Sequence, residues 1–347
     1  MDRGEDQRGP MELRVFESPG KEWDEFATRH TDLVFYQSAW SATLEKGFGG
    51  QPLYFYLKEG EKIVAGLPGV LLNFRIIRIL YASFPYGNLI GEKDYFPVFR
   101  EHLEREFAGR RIHQVRIVDS PFGENWPLYS DFKSFENICT LIDLKNMDEE
   151  KLWKSYDHYV RRDIKRAQKN GIVIHKGESE ADFRFLYDLY LQAMQRNHAP
   201  AKYPAQLIMA LREFILGSGG GVLLMARMGE TPVAAILLIY SKSSTHAFLA
   251  GSDSRFLKYY PNKLLIHHAL MESIACGHDV FDFMGSEKED KNLIRFKNLW
   301  GGRSISVTTH VHDYNRLRCW MWDTIKSFMN TSVGSKLTRI VRDRISK

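Results

Sequence analysis

Phe281-Asp282-Phe283-Met284-Gly285-Ser286, followed by Leu293-Ile294-Arg295-Phe296-Lys297-Asn298-Leu299-Trp300-Gly301-Gly302, is the most informative segment of this chain. The first part alternates at period two into a glycine turn, which predicts a short strand with Asp282 inside the pattern. In the second part Leu293, Phe296, Lys297 and Trp300 recur at helical spacing, and Gly301-Gly302 ends the run. Two readings follow for the lysine. Phe296 and Trp300 are core and Lys297 snorkels to water, or Lys297 points into a cleft beyond the strand end. A cation held there stabilises the oxyanion of a tetrahedral acyl-transfer intermediate. Residue types alone leave both open.

Working outward, the segment 262–276 reads as a helix stopped by Gly277. Upstream of it lie strand patterns at 222–228, 233–240 and 245–249, a helical pair at 180–196 and 204–216, and strands at 138–142 and 172–175; a last strand follows at 304–309. The first part of the chain repeats the grammar. Strand patterns at 13–16, 53–57, 63–72, 76–81 and 114–118 alternate with helical patterns at 23–30, 38–46 and 95–107. Each half reads as a mostly antiparallel sheet with helices on its faces, an α+β arrangement. We therefore expect a disordered leader at 1–10, a first domain at 11–136, a second at 137–312 and a helical tail at 313–347.

The segment 148–170 is expected to be one helix. Leu152, Tyr156, Val160, Ile164 and Ala167 form its buried stripe, and Asn170-Gly171 its stop. Arg161, Arg162 and Lys165 stand on its other faces with further cations. They form either a solvated face or a surface that gathers phosphate-bearing ligands such as RNA. Arg196 and His198 close the 180–196 helix, and Tyr203 lies in the loop beyond, where a ligand would be met. Arginine offers a phosphate its paired donors, but cations at helix ends also serve the helix dipole. Gly217-Ser218-Gly219-Gly220-Gly221 is not a phosphate loop. It follows a helix and opens a strand, the reverse of the order such a loop needs.

Composition bounds the rest. The chain has 347 residues, 44% of them hydrophobic and 26% charged, long enough for two domains of ordinary size. Cys139, Cys276 and Cys319 are far apart, so neither a disulfide framework nor a zinc site is expected, and no metal is called for. The charged segment 1–10 lacks an apolar h-region and no apolar run is long enough to span a bilayer, which predicts a cytoplasmic protein. From Tyr314 onward eight Lys/Arg stand against two Asp, so the formal net charge of +5 resides in the tail. Leu317, Trp320, Met321, Ile325, Phe328 and Met329 follow helical spacing there. This basic amphipathic helix either lies on the inner face of an anionic membrane or packs on the body.

Several runs in register resemble the FemAB-like branch of the GNAT acyltransferase superfamily. They are Phe35-Tyr36-Gln37-Ser38-Ala39-Trp40 with Gly66-Leu67-Pro68, the helix 159–171, Gly251-Ser252-Asp253 through Asn262 to Gly277, and the opening stretch. The resemblance runs from about Leu13 to His312. It implies two tandem GNAT-like domains and transfer of an amino acid from aminoacyl-tRNA to an amine of a lipid- or nucleotide-linked peptidoglycan precursor. It also implies a monomer with no permanently bound cofactor. The family's Phe-Lys pair falls on Phe296 and Lys297, with the lysine near the reacting carbonyl, and its precursor-binding arginine on Arg196. His198, Tyr203, Asp282 and Trp300 are the further candidates for substrate contact. The long helical hairpin that some members insert is absent. So is the glycine-bearing loop with which a GNAT enzyme cradles the CoA pyrophosphate. Its counterpart here, Arg255-Phe256-Leu257-Lys258-Tyr259-Tyr260-Pro261-Asn262, has no glycine, and Pro261 removes an N–H donor. An acyl-CoA or acyl-carrier donor is the rival reading.

Overall fold

The computed structural model describes residues 10–123, 125–126, 133–196 and 201–329. The chain divides into two compact units: 1–45 with 49–135 and 308–320, and 46–48 with 136–307 and 321–347. Residues 308–320 thus group with the first unit, whereas the sequence pattern placed the second domain's end at 312. The reason is strand pairing: Thr309 through Asp313 bond antiparallel to Val118 through Gln114. The expected leader lies outside the described residues except for Pro10, as does the tail beyond Met329.

The first unit runs β1 (Met11–Phe16), α1 (Lys21–His30), α2 (Ser38–Phe48), β2 (Gln51–Glu59), β3 (Lys62–Asn73), β4 (Arg78–Ala82), β5 (Ile90–Gly91), α3 (Phe96–Gly109) and β6 (Gln114–Val118). β1, β2, β3 and β4 pair antiparallel in that order, and β6 joins β4 in parallel. A parallel partner needs a crossover, which α3 supplies by burying Phe96, Phe99, Leu103 and Phe107. Gly66 belongs to this packing. A Cβ there would sit 2.6 Å from the Trp23 ring and 2.9 Å from Phe26, so the two aromatics of α1 lie directly on the strand.

The second unit runs β7 (Lys133–Asp143), α4 (Glu149–Ser155), α5 (His158–Lys169), β8 (Ile172–Gly177), α6 (Glu180–Arg196), α7 (Ala205–Ser218), β9 (Gly221–Met228), β10 (Thr231–Tyr240), β11 (Ser244–Ser252), α8 (Pro261–Ala275), β12 (Val280–Glu287) and α9 (Lys291–Asn298), while β13 (Arg303–Asp313) and α10 (Arg316–Met329) are divided between the units, after 307 and after 320. Its strand order is β7-β12-β11-β10-β9-β8, antiparallel except where β11 and β12 run parallel on either side of the α8 crossover. Val160, Ile164, Leu264, Leu265, Ala269 and Phe281 share the core between the helices and this sheet.

The single helix expected over 148–170 is two. Tyr156 turns extended (φ −70°, ψ 145°), and Asp157 opens a second helix by accepting a bond from the Tyr159 amide at 2.8 Å. The buried stripe continues through the break because Tyr156 stays in the core. The glycine run 217–221 is a turn as read: Gly219 ends α7 in the left-handed region (φ +66°) and Gly221 starts β9.

Candidate active site

The parallel ladder between β11 and β12 has three rungs, Ser244 opposite Val280, Thr245 opposite Phe281 and His246 opposite Asp282. Past that point β11 stays with β10 as far as Ser252, while β12 follows β7 as far as Glu287. Both strands carry a register shift just beyond the last rung, at 247–249 on β11 and between Asp282 and Gly285 on β12. The two strands therefore part where each is locally bent. Openings at the carboxyl ends of parallel strands are where α/β sheets bind ligands.

The β12 bulge is held from inside. Met284 has φ +61°, which a bulky residue rarely adopts. Its amide donates to Asp282 Oδ1 at 2.7 Å. Its carbonyl accepts from Lys297 Nζ at 2.9 Å, and Lys297 also donates to Ser286 Oγ at 2.8 Å. Lys297 reaches the bulge from α9, whose first turn is fixed by Asp290 accepting from the Leu293 amide. Only 6% of Lys297 is exposed. Burial pulls its pKa down to about 8, while the Asp282 charge pushes the other way.

A second buried chain ends on the same aspartate. His246 Nδ1 lies 3.2 Å from Asp282 Oδ2, and its Nε2 lies 2.8 Å from Ser241 Oγ and 3.1 Å from Ser244 Oγ. A carboxylate only accepts, so Nδ1 carries a proton in this contact. His246 and Asp282 have no exposed surface. Cys139, buried on β7, has its thiol pKa pushed up by burial and by Asp282. Sequence reading did not find His246, Ser241, Ser244 or Ser286. The signal was present, since one helix between two strands forces them parallel and brings 246 beside 282.

The other candidates disperse. Phe296 is half-buried beside Trp300, with Lys263 Nζ 4.4 Å from its ring centre. Asp282 and Trp300 are wholly buried, so neither offers a surface for substrate contact; Trp300 belongs to the hydrophobic core. Tyr203 is half-buried and stacks between Tyr190 and Phe248, both at 5.7 Å between ring centres. Burial pushes its phenol up to about 12. Arg196 is exposed at the end of α6, and His198 lies outside the described residues. Arg161 donates through Nη1 to the carbonyls of Trp153, Lys154 and Tyr156, tying the end of α4 to α5. Arg162 binds Asp163 at 2.9 Å, and Lys165 lies 5.8 Å from the centre of the Trp153 ring.

Where a GNAT enzyme would hold a CoA pyrophosphate, Ser254–Tyr259 forms a 3₁₀ helix, and Tyr260 takes a left-handed conformation (φ 62°) before Pro261 opens α8. Pro261 has no N–H, and the Lys263 amide bonds the Tyr260 carbonyl at 3.0 Å. Bulky side chains and engaged amides do not fit a backbone cradle for a pyrophosphate. Among the described residues no group of three or more His, Cys, Asp or Glu is placed to hold a metal. None of their helices is long and apolar enough to cross a membrane.

Comparison with known proteins agrees with this architecture. Residues 154–297 match the family model of the acetyltransferase (GNAT) domain. No curated protein matches the chain by sequence. Among solved structures, FemX superposes with a TM-score of 0.62 at 10% identity, over 85% of this chain and 96% of its own. The C-terminal domain of an Agrobacterium fabrum protein assigned as a lysylphosphatidylglycerol synthetase gives 0.55 at 14% identity, over 86% and 96%. A tandem GNAT protein from the clavulanic acid biosynthesis pathway gives 0.57 at 9% identity, over 88% and 98%. At these identities the likeness is one of fold: this chain has the tandem GNAT architecture.

Proposed function

Residues 154–297 form a GNAT-type acyltransferase domain, and from that premise we propose that the chain transfers an aminoacyl group from aminoacyl-tRNA to an amine of a cell-envelope precursor. The observation that carries the choice of donor is the start of α8, where a 3₁₀ helix, Tyr260 and Pro261 stand in place of a glycine cradle. A donor held by its own larger body does not need that cradle. The neighbour named lysylphosphatidylglycerol synthetase supports the aminoacyl class by its name, which joins a lysyl group to a lipid.

In this reading the neutral acceptor amine attacks the ester carbonyl carbon of the donor. The carbonyl oxygen takes the electron pair, then returns it as the bond to the leaving hydroxyl breaks. The proton lost by the amine ends on that hydroxyl. An ammonium has three N–H donors. Lys297 gives two to Met284 and Ser286, and the third is assigned to the oxyanion. Within this proposal the exposed Arg196 is assigned to a precursor phosphate.

An N-acyltransferase drawing on acyl-CoA or an acyl carrier is the second reading, favoured by the GNAT match itself and by the clavulanic-pathway neighbour, whose structure is described as without AcCoA. Incubating the purified chain with charged tRNA or with acetyl-CoA, each with a peptidoglycan precursor peptide, separates the two. Label passing from tRNA but not from acetyl-CoA is expected. Micromolar CoA binding by calorimetry, with transfer from acetyl-CoA alone, would replace the first reading by the second.

A further inference from the structure

In α10 the apolar stripe faces outward. At 100° per residue Leu317, Trp320, Met321 and Ile325 share one side of the helix, and they are 67%, 65%, 39% and 39% exposed. The opposite side carries Cys319, which is buried and donates through Sγ to the His113 carbonyl at 3.3 Å. Arg318 Nη1 bonds the Ile76 carbonyl at 2.8 Å, and the Cys319 amide bonds Asn315 O at 3.0 Å. The N-terminal part of the helix is thus anchored by the side that carries Cys319. An amphipathic helix of a globular protein ordinarily turns its apolar stripe inward, and a contiguous apolar patch turned to water marks an interaction site.

Charge says which partner fits. Arg316 and Arg318 stand on the two flanks of the stripe, about 100° from its centre. The sequence that follows carries Lys336, Arg339, Arg342, Arg344 and Lys347 against Asp343 alone. Apolar side chains with a tryptophan among them, edged by arginine and continued by a polybasic run, match the two components of an anionic bilayer surface. We propose that α10 docks on the surface of an anionic membrane through Leu317, Trp320, Met321 and Ile325, with the flanking Arg316 toward the lipid headgroups. This goes beyond the choice of donor and acceptor, and its evidence is independent of both.

The test uses the full chain and sedimented vesicles, with no transfer assay, so its failure and that of the proposed activity are read separately. Vesicles of phosphatidylcholine with about one-third phosphatidylglycerol are expected to bind the chain, pure phosphatidylcholine much less, and added salt is expected to release it. Leu317→Glu and Met321→Glu change exposed positions and should leave the melting temperature in place. Each is expected to lower the vesicle partition coefficient by about tenfold or more. Arg316→Glu, which keeps the stripe, is expected to lower it about tenfold on anionic vesicles only. Absence of vesicle binding, or binding equal in wild type and Leu317→Glu, overturns the proposal. So does a concentration-dependent dimer that Leu317→Glu dissolves without any vesicle binding, which would give the stripe to a second copy of the chain.

Discussion

Lys297 Nζ lies 2.8 Å from Ser286 Oγ, a helix side chain bonded to a strand hydroxyl two residues past the Met284 bulge. The same nitrogen bonds the bulge carbonyl. The lysine therefore pins the distorted part of β12 as well as placing a positive charge beside it. Any account of the site has to separate the pin from the charge.

Substitution separates them. Lys297→Met keeps most of the apolar stem and removes the charge. Transfer is expected to fall by about 10²–10³-fold, the usual loss of one oxyanion donor. Stability should move little, because losing a desolvated ammonium offsets losing its two hydrogen bonds. Steady-state kinetics beside a urea melt reads both. Full turnover in the methionine variant would remove Lys297 from the mechanism.

The pH profile follows from the same group. In the proposed mechanism protonated Lys297 is the active form, and burial pulls its pKa down to about 8. The amine nucleophile must be neutral, so the rate rises from the acid side and then falls as pH passes about 8. For stability the sign is the reverse. The folded pKa is below the ordinary lysine value of 10.5, so between about pH 8 and 10.5 the unfolded chain binds more protons and wild type gains stability with rising pH. The full gain is about 3 kcal/mol. Melts of wild type and Lys297→Met across that window should diverge in favour of wild type.

Asp282 holds the network together, accepting from His246 on one oxygen and from the Met284 amide on the other. Asp282→Ala leaves both donors without this acceptor at a fully buried position, at a cost of about 3–5 kcal/mol. Asp282→Asn retains one acceptor oxygen and should cost roughly half as much. A chemical denaturation series on the two variants checks the order; equal losses would show that packing, not the hydrogen bonds, is what the site requires.

Strand and helix periodicity made most of the strands and helices legible, because alternation and 3.6-residue stripes record burial directly. The break at Tyr156-Asp157 was not, since an aspartate inside a continuous apolar stripe looks like surface until its carboxylate is seen capping Tyr159. Lys297 stood out by its place between Phe296 and Trp300, yet its burial could not be read from a residue that usually snorkels. His246 stayed hidden because its partner is 36 positions away and only the parallel register joins them. Arg161 looked like a ligand-facing cation on a helix wheel, and the turn between α4 and α5 gave it three carbonyls instead.

The glycine that closes the opening motif makes a test of its own. Gly301 has φ +81°, and a Cβ there would lie 3.0 Å from Ser155 Oγ, 3.1 Å from Ser155 Cβ and 3.1 Å from Ser155 O. The turn after α9 therefore rests on the last residue of α4, just before the break. Gly301→Ala meets two penalties, about 1–2 kcal/mol for the left-handed backbone and a further contribution from crowding Ser155. Ser155→Gly removes the crowding side chain but not the backbone conformation or the carbonyl contact. In the double variant the two substitutions should be non-additive by about 0.5–1 kcal/mol, the crowding part being relieved and the backbone part remaining. Thermal or urea melts of the two single variants and the pair measure the coupling. Strict additivity would mean that the Ser155 side chain adds nothing to the cost, leaving the backbone conformation and the Ser155 carbonyl to call for glycine here.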